Sequence, residues 1–126
     1  MLHIYLALFT AELLEHCQTI IQNILCMEAY PARLESREKA DTNLLPGHQN
    51  LYIIEEDLPL ACQIRSSDTR CFLILLTRNP RSIYPAVMSR IEALDIFLID
   101  SINNSSLGHR LHACIEEAVH RTLVYH

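Results

Sequence analysis

Three carboxylates in a row, Glu55, Glu56 and Asp57, stand directly after the apolar run Leu51-Tyr52-Ile53-Ile54. A hard divalent cation, or a phosphoryl group in transfer, needs such a cluster, because several carboxylates are required to outcompete water for the ion. A hydroxyl, Thr77, closes a second apolar run at 71–76. A first apolar run at 2–8 ends instead on Leu8 and Phe9, which supply no oxygen for an ion. His109 and His112 lie one helical turn apart with Cys114 near, a spacing compatible with metal ligation. Glu116 and Glu117 beside them mark an ordinary solvated helix face, so no metal is assigned there. Cys17, Cys26, Cys62, Cys71 and Cys114 are widely spaced within apolar segments, with no C-x-x-C pair and no histidine at a strand end to activate them. They read as small buried hydrophobes of a reducing, cytoplasmic compartment rather than as nucleophiles or disulfide partners. No Gly-rich or Ser/Thr-rich loop follows the first run to cradle a phosphate, so no nucleotide or flavin cofactor is expected.

The elements that must position these groups can be read from punctuation and period. Residues 2–8 form a short strand, and Thr10 offers an N-cap hydroxyl to the helix after it. Leu13, Leu14, Cys17, Ile20, Ile21, Ile24 and Leu25 then recur at spacings of three and four, which places them on one helix face. A strand at 29–35, kept near an edge by Pro31, and a polar helix at 36–45 come next. Strands at 51–54, 71–76 and 96–99 alternate with helices around 60–65 and 82–93. A last amphipathic helix carries Leu107, Leu111, Cys114, Ile115, Ala118 and Thr122, with Ser105 or Ser106 as its cap. Strands that are apolar throughout must be covered on both faces, and the connections are helical. The expectation is an α/β fold, a doubly wound parallel sheet with helices on both sides. Its ligand crevice would lie outside the carboxyl ends of the first and third strands, at Leu8-Phe9 and Glu55-Glu56-Asp57.

At 126 residues and half apolar, the chain fits one domain, 1–126, with one continuous core. A net charge of −5 gives no basis for gripping a phosphate backbone, which needs clustered Lys and Arg, so DNA would be bound only through a separate domain. The apolar N-terminus lacks a cationic n-region and is interrupted by Glu12 and Glu15, so it reads as a strand entering a helix rather than a signal peptide. No apolar stretch reaches the roughly 18 residues that would span a membrane.

Over nearly its whole length the chain resembles receiver domains of two-component response regulators, and within them the branch that precedes a LytTR DNA-binding domain. The resemblance rests on residues 77–100 above all, with Tyr84, Val87 and Ala93-Leu94-Asp95, and on Leu51-Tyr52-Ile53-Ile54, Leu58-Pro59 and Gln63-Ile64-Arg65. It implies a five-stranded sheet of order 2-1-3-4-5. It also implies five chemical parts: two acidic residues after the first strand and an aspartate after the third to hold Mg²⁺, a Ser/Thr after the fourth, and a Lys after the fifth. In this chain the acidic pair falls on Leu8 and Phe9, the phosphoacceptor on Glu55 and the lysine on Ile99. Only Thr77 matches. The nine residues from Glu55 to Ile64 leave no room for the glycine-bearing turn expected there, so the helix after Glu55 should be truncated or displaced.

The expectation is a pseudo-receiver that is not an enzyme, holds no Mg²⁺ and acts by contact. Glu55 either imitates the phosphorylated state by reaching toward Thr77 or stands solvated in an acidic rim. Leu8 and Phe9 either plug the crevice or reflect relaxed constraint. Tyr84 is the switch aromatic implied by the resemblance, or a packing residue. The resemblance also implies a dimer or partner surface on the fourth helix, fifth strand and fifth helix, with Arg78, Arg81, Arg90, Asp95, Asp100, Glu116, Glu117 and Arg121 permitting a self-complementary contact. Two alternatives stand beside it. One is a working phosphoacceptor that uses Glu55, Glu56 and Asp57 as its carboxylate cluster. The other is a sensor whose apolar crevice, around Leu8, Phe9 and Ile99, takes a small hydrophobic molecule.

Overall fold

The computed structural model describes residues 1–35, 49–79, 81, 85, 91–99 and 104–124. Five strands pair in one sheet: β1 (Leu2–Ala7), β2 (Ala32–Leu34), β3 (Gln49–Glu55), β4 (Phe72–Thr77) and β5 (Asp95–Leu98). Every pairing is parallel and the order is β2-β1-β3-β4-β5. Three helices are described: α1 (Ala11–Glu28), α2 (Leu58–Ser67) and α3 (Asn104–Val124).

The hydrophobic pattern explains the layering. β3 and β4 are buried at every position, as the two central strands of a doubly covered sheet must be. On one face Leu2, Ile4, Leu6, Leu8, Leu51, Ile53, Phe72, Ile74 and Leu76 meet Leu13, Cys17 and Ile21 of α1 and Leu107, Leu111, Ile115 and Ala118 of α3. On the other, Tyr5, Tyr52, Ile54, Leu73 and Leu75 meet Ala61 of α2 together with Ile91. Successive strand residues point to opposite faces, so β1, β3 and β4 each feed both cores. The edge strand β2 is tied to β1 by His3, whose Nδ1 lies 2.7 Å from Glu35 Oε1, an oxygen that also accepts from Arg33 of β2 itself at 2.9 Å. The bond to His3 and the Arg33 guanidinium keep the Glu35 carboxyl below the usual carboxylate range against the opposing effect of burial.

Several expectations are adjusted. Thr10 sits at the N-cap of α1, but its side chain makes no capping bond. Ser105 and Ser106 lie inside α3, which already begins at Asn104, so neither precedes it as a cap. The short connection after β3 is met by starting α2 at once: Asp57 caps it by accepting from the Leu60 amide at 3.0 Å, and Pro59 occupies the first turn, where no donor is needed. The helix expected at 36–45 lies outside the described residues. So does most of the helix expected at 82–93, whose last residues, Ile91, Glu92 and Ala93, are in irregular backbone. Of the cysteines, Cys17, Cys71 and Cys114 are buried, Cys62 is half-buried, and Cys26 is exposed on α1. Burial, helped by the nearby Glu55 charge, pushes the Cys17 thiol up to about 12, and burial pushes those of Cys71 and Cys114 up to about 11, which leaves all three as packing groups.

Candidate functional site

The strand order reverses between β1 and β3, and the carboxyl edge of the sheet there is the expected crevice. Register fixes what meets on that edge. Ala7 pairs with Ile54, Glu55 with Leu76 and Thr77 with Leu98, so Leu8 and Glu55 stand level, with Thr77 one residue and Ile99 two residues further along, all on the carboxyl edge of the sheet. The Ile99 amide closes the edge by donating to the Thr77 carbonyl at 2.6 Å. Four of the five positions implied by the family resemblance therefore lie on this one edge. Phe9 is not. Leu8 is sealed in the core while Phe9 is 66 % exposed, so the two do not jointly plug a crevice or line an apolar ligand site with Ile99.

The three carboxylates part company. Glu55 is 1 % exposed. It turns toward the β1–α1 connection, where the Thr10 amide donates to its Oε1 at 3.1 Å and the Thr10 hydroxyl donates to its Oε2 at 2.5 Å. The carboxylate thus sits at the amino end of α1, where the helix dipole favours negative charge. Glu56 has a positive φ of 51° and points the other way. Its Oε1 accepts from the Arg78 amide at 2.5 Å and lies 3.5 Å from the Thr77 hydroxyl. Asp57 is engaged in capping α2. The oxygen expected from Glu55 near Thr77 is therefore supplied by Glu56, and Glu55 is not a solvated rim residue. Nor do the three converge on one point as a cation site requires. Among the described residues no group of three or more His, Cys, Asp or Glu gathers to hold a metal ion.

Thr77 is fully buried and organises the chain after β4. Its Oγ1 accepts from the Asn79 amide at 3.1 Å, and the Asn79 side-chain oxygen accepts from the Arg81 amide at 3.0 Å, two successive side-chain turns that curl the backbone. Sequence reasoning missed Thr10 as a site residue because its place before α1 already accounted for it. The available signal was a carboxylate at the end of a fully apolar strand, which needs a donor.

The surface residues divide as well. Asp95 is bound within the chain by Arg110, whose Nε donates at 2.9 Å and Nη2 at 2.5 Å, a two-pronged pair between β5 and α3. Glu117 and Arg121 pair along α3 at 2.8 Å, both largely exposed. Arg78, Arg81 and Glu116 are exposed, whereas Tyr84, Arg90 and Asp100 lie outside the described residues. His109 is exposed, and His112 turns to α1, with Glu28 at 3.6 Å and the Tyr30 hydroxyl at 3.5 Å.

No protein-family model matches the sequence, and no curated protein does either. Solved structures do match. A CheY-like response regulator protein from Mesorhizobium loti superimposes with a TM-score of 0.56 at 14% identity, over 87% of this chain and 97% of that one. The regulatory domain of the biofilm regulator CsgD gives 0.55 at 12% identity over the whole of both chains. A putative CpaE2 pilus assembly protein from Sinorhizobium meliloti gives 0.53 at 12% identity, over 90% of this chain and 99% of that one. At such identities the likeness is one of fold, and that fold, five parallel strands in the order 2-1-3-4-5 with helices on both faces, is the CheY-like receiver fold.

Proposed function

We propose that this chain is a pseudo-receiver: a regulatory module of the response-regulator type, related to the LytTR-associated branch, that signals by protein contact and not by accepting phosphate. The observation that carries the reading is the state of Glu55. Phosphoryl transfer to a carboxylate needs an oxygen facing solvent, and a cation beside it to neutralise the gathering charge. Here both Glu55 oxygens are taken by Thr10, the residue is 1 % exposed, and its neighbour just past the end of β1 is the buried hydrocarbon Leu8. The position across the edge that would carry a lysine holds Ile99. Incubation of the whole chain with Mg²⁺ and a small phosphodonor such as acetyl phosphate, followed by intact mass measurement, is expected to show no phosphate-sized gain. A stoichiometric gain would transfer the argument to the phosphoacceptor reading.

Contact through the face of α3 and β5 suits the charges that stay exposed there, Glu116, Glu117 and Arg121, together with Arg78 and Arg81 after β4. Asp95 is engaged by Arg110 and is left out of that surface. A two-fold association of this chain should appear in sedimentation velocity as a concentration-dependent dimer, and Arg81→Glu, at an exposed position of that surface, should weaken it by about tenfold, the effect of roughly one displaced ion pair at an interface rim. A sedimentation coefficient that stays monomeric up to millimolar protein would dispose of the dimer.

A further inference from the structure

We infer that Glu56 is a built-in anion that latches the chain after β4 to the end of β3, filling an oxyanion site made by the Arg78 amide and the Thr77 hydroxyl. The inference deepens the contact-module reading and rests on it, since a domain that carries its own anion needs no phosphodonor.

The backbone is arranged for this purpose. The Glu56 amide still donates to the Leu76 carbonyl at 2.8 Å, continuing the β3–β4 ladder by one rung. At that same residue φ turns to 51°, a region disfavoured for any side chain with a Cβ. The carboxylate gains from that turn, because it folds back onto the neighbouring strand's exit and takes the Arg78 amide at 2.5 Å. The receiving side is equally specified. Fully buried Thr77 accepts from the Asn79 amide at 3.1 Å, which curls residues 77–79 and turns the Arg78 N–H toward Glu56. The Thr77 hydroxyl has two acceptors in reach, the Asn79 carbonyl at 3.2 Å and Glu56 at 3.5 Å, so the amide is the principal donor and the hydroxyl the secondary one. A tethered carboxylate is presented at an effective concentration of about millimolar or more, which free anions must exceed to replace it. Glu55 and Glu56 together tie the end of β3 to both of its flanking loops, one to each side.

The test is heteronuclear NMR on the full chain. In the wild type the Arg78 amide should lie downfield and exchange with solvent about tenfold more slowly than in Glu56→Ala. Sodium acetate or inorganic phosphate, added to Glu56→Ala at tens of millimolar, should restore the Arg78 shift and slow exchange in a saturable way. Equal sodium chloride should not, and the wild-type resonances should not move under either anion. Glu56→Gln, which keeps an acceptor oxygen, should retain part of the protection. The latch is overturned by an unprotected wild-type Arg78 amide, or by protection that survives Glu56→Ala. The preformed oxyanion site is overturned if Glu56→Ala stays unprotected at every anion concentration. A phosphate-sized mass gain would end the contact-module reading and leave these amide results as they are, so the two can fail separately.

Discussion

Thr10→Val should destabilise the fold by about 1.5–3 kcal/mol, the usual worth of a hydrogen bond to a charged group, and adding Glu55→Leu should recover most of that loss. Valine keeps the volume and branching of threonine and suits the extended backbone at position 10, with φ −79° and ψ 113°. It removes one thing, the hydroxyl that donates to Glu55 Oε2 at 2.5 Å. The carboxylate it abandons is 1 % exposed, so water cannot easily replace the lost donor, and the desolvation cost of a half-satisfied buried anion falls on the folded state. Replacing the carboxylate as well changes the sign of the argument, because two apolar groups in the place of a buried polar pair are often neutral or stabilising. Leu8 and Leu76 already line that part of the core, and a leucine at position 55 would join them. The double-mutant cycle, read from urea midpoints at a common slope, should give a coupling well above the additive error of about 0.5 kcal/mol. A Thr10→Val midpoint equal to wild type would mean that the bond contributes nothing and that Glu55 is not pinned.

The same bond shows where the sequence was readable and where it was not. Apolar runs marked all the core strands, and the three-four spacing of Leu13, Cys17 and Ile21 marked the buried stripe of α1. These signals come from burial, which is local and periodic. The placing of Leu8, Glu55, Thr77 and Ile99 at the carboxyl edge was legible for the same reason, since strand ends set it. The direction of each carboxylate depends on partners far away in sequence. Adjacent strand residues face opposite ways, and this alone argues against Glu55 and Glu56 sharing a site. Which donors awaited them was hidden, because Thr10 is 45 residues from Glu55 and Arg78 is 22 residues from Glu56. Thr10 had two claimants, its own helix and a buried charge, and the charge-assisted bond is the stronger of the two. Phe9 looked like core by type, but β1 ends at Ala7 and the period of two that would have buried it ends there too. Asp95 looked free for a partner until Arg110 came down to it from α3.

Arg65→Met should cost about 2–5 kcal/mol, because at least two buried carbonyls lose charged donors at once. The side chain leaves α2 and gathers the backbone of the chain before β4 and before β5. Its Nη1 donates to the Cys71 carbonyl at 2.7 Å and the Thr69 carbonyl at 3.1 Å, and its Nε donates to the Ile91 carbonyl at 2.8 Å. Its Nη2 reaches the Glu92 carbonyl at 3.5 Å. Cys71 and Ile91 are themselves buried, so the acceptors most affected have little access to water. Methionine keeps the stem and its packing while removing every donor, which isolates the hydrogen bonds from the hydrocarbon contribution. Arg65→Lys should recover less than half, since one compact ammonium cannot span carbonyls that a planar fork of five N–H groups reaches together. Set against a total stability of about 5–15 kcal/mol, the loss should lower the thermal midpoint by about 10 °C or more and mark Arg65→Met as the most damaging of these polar substitutions. An Arg65→Met midpoint within about 2 °C of wild type would mean that the segments entering β4 and β5 are held by their apolar contacts alone.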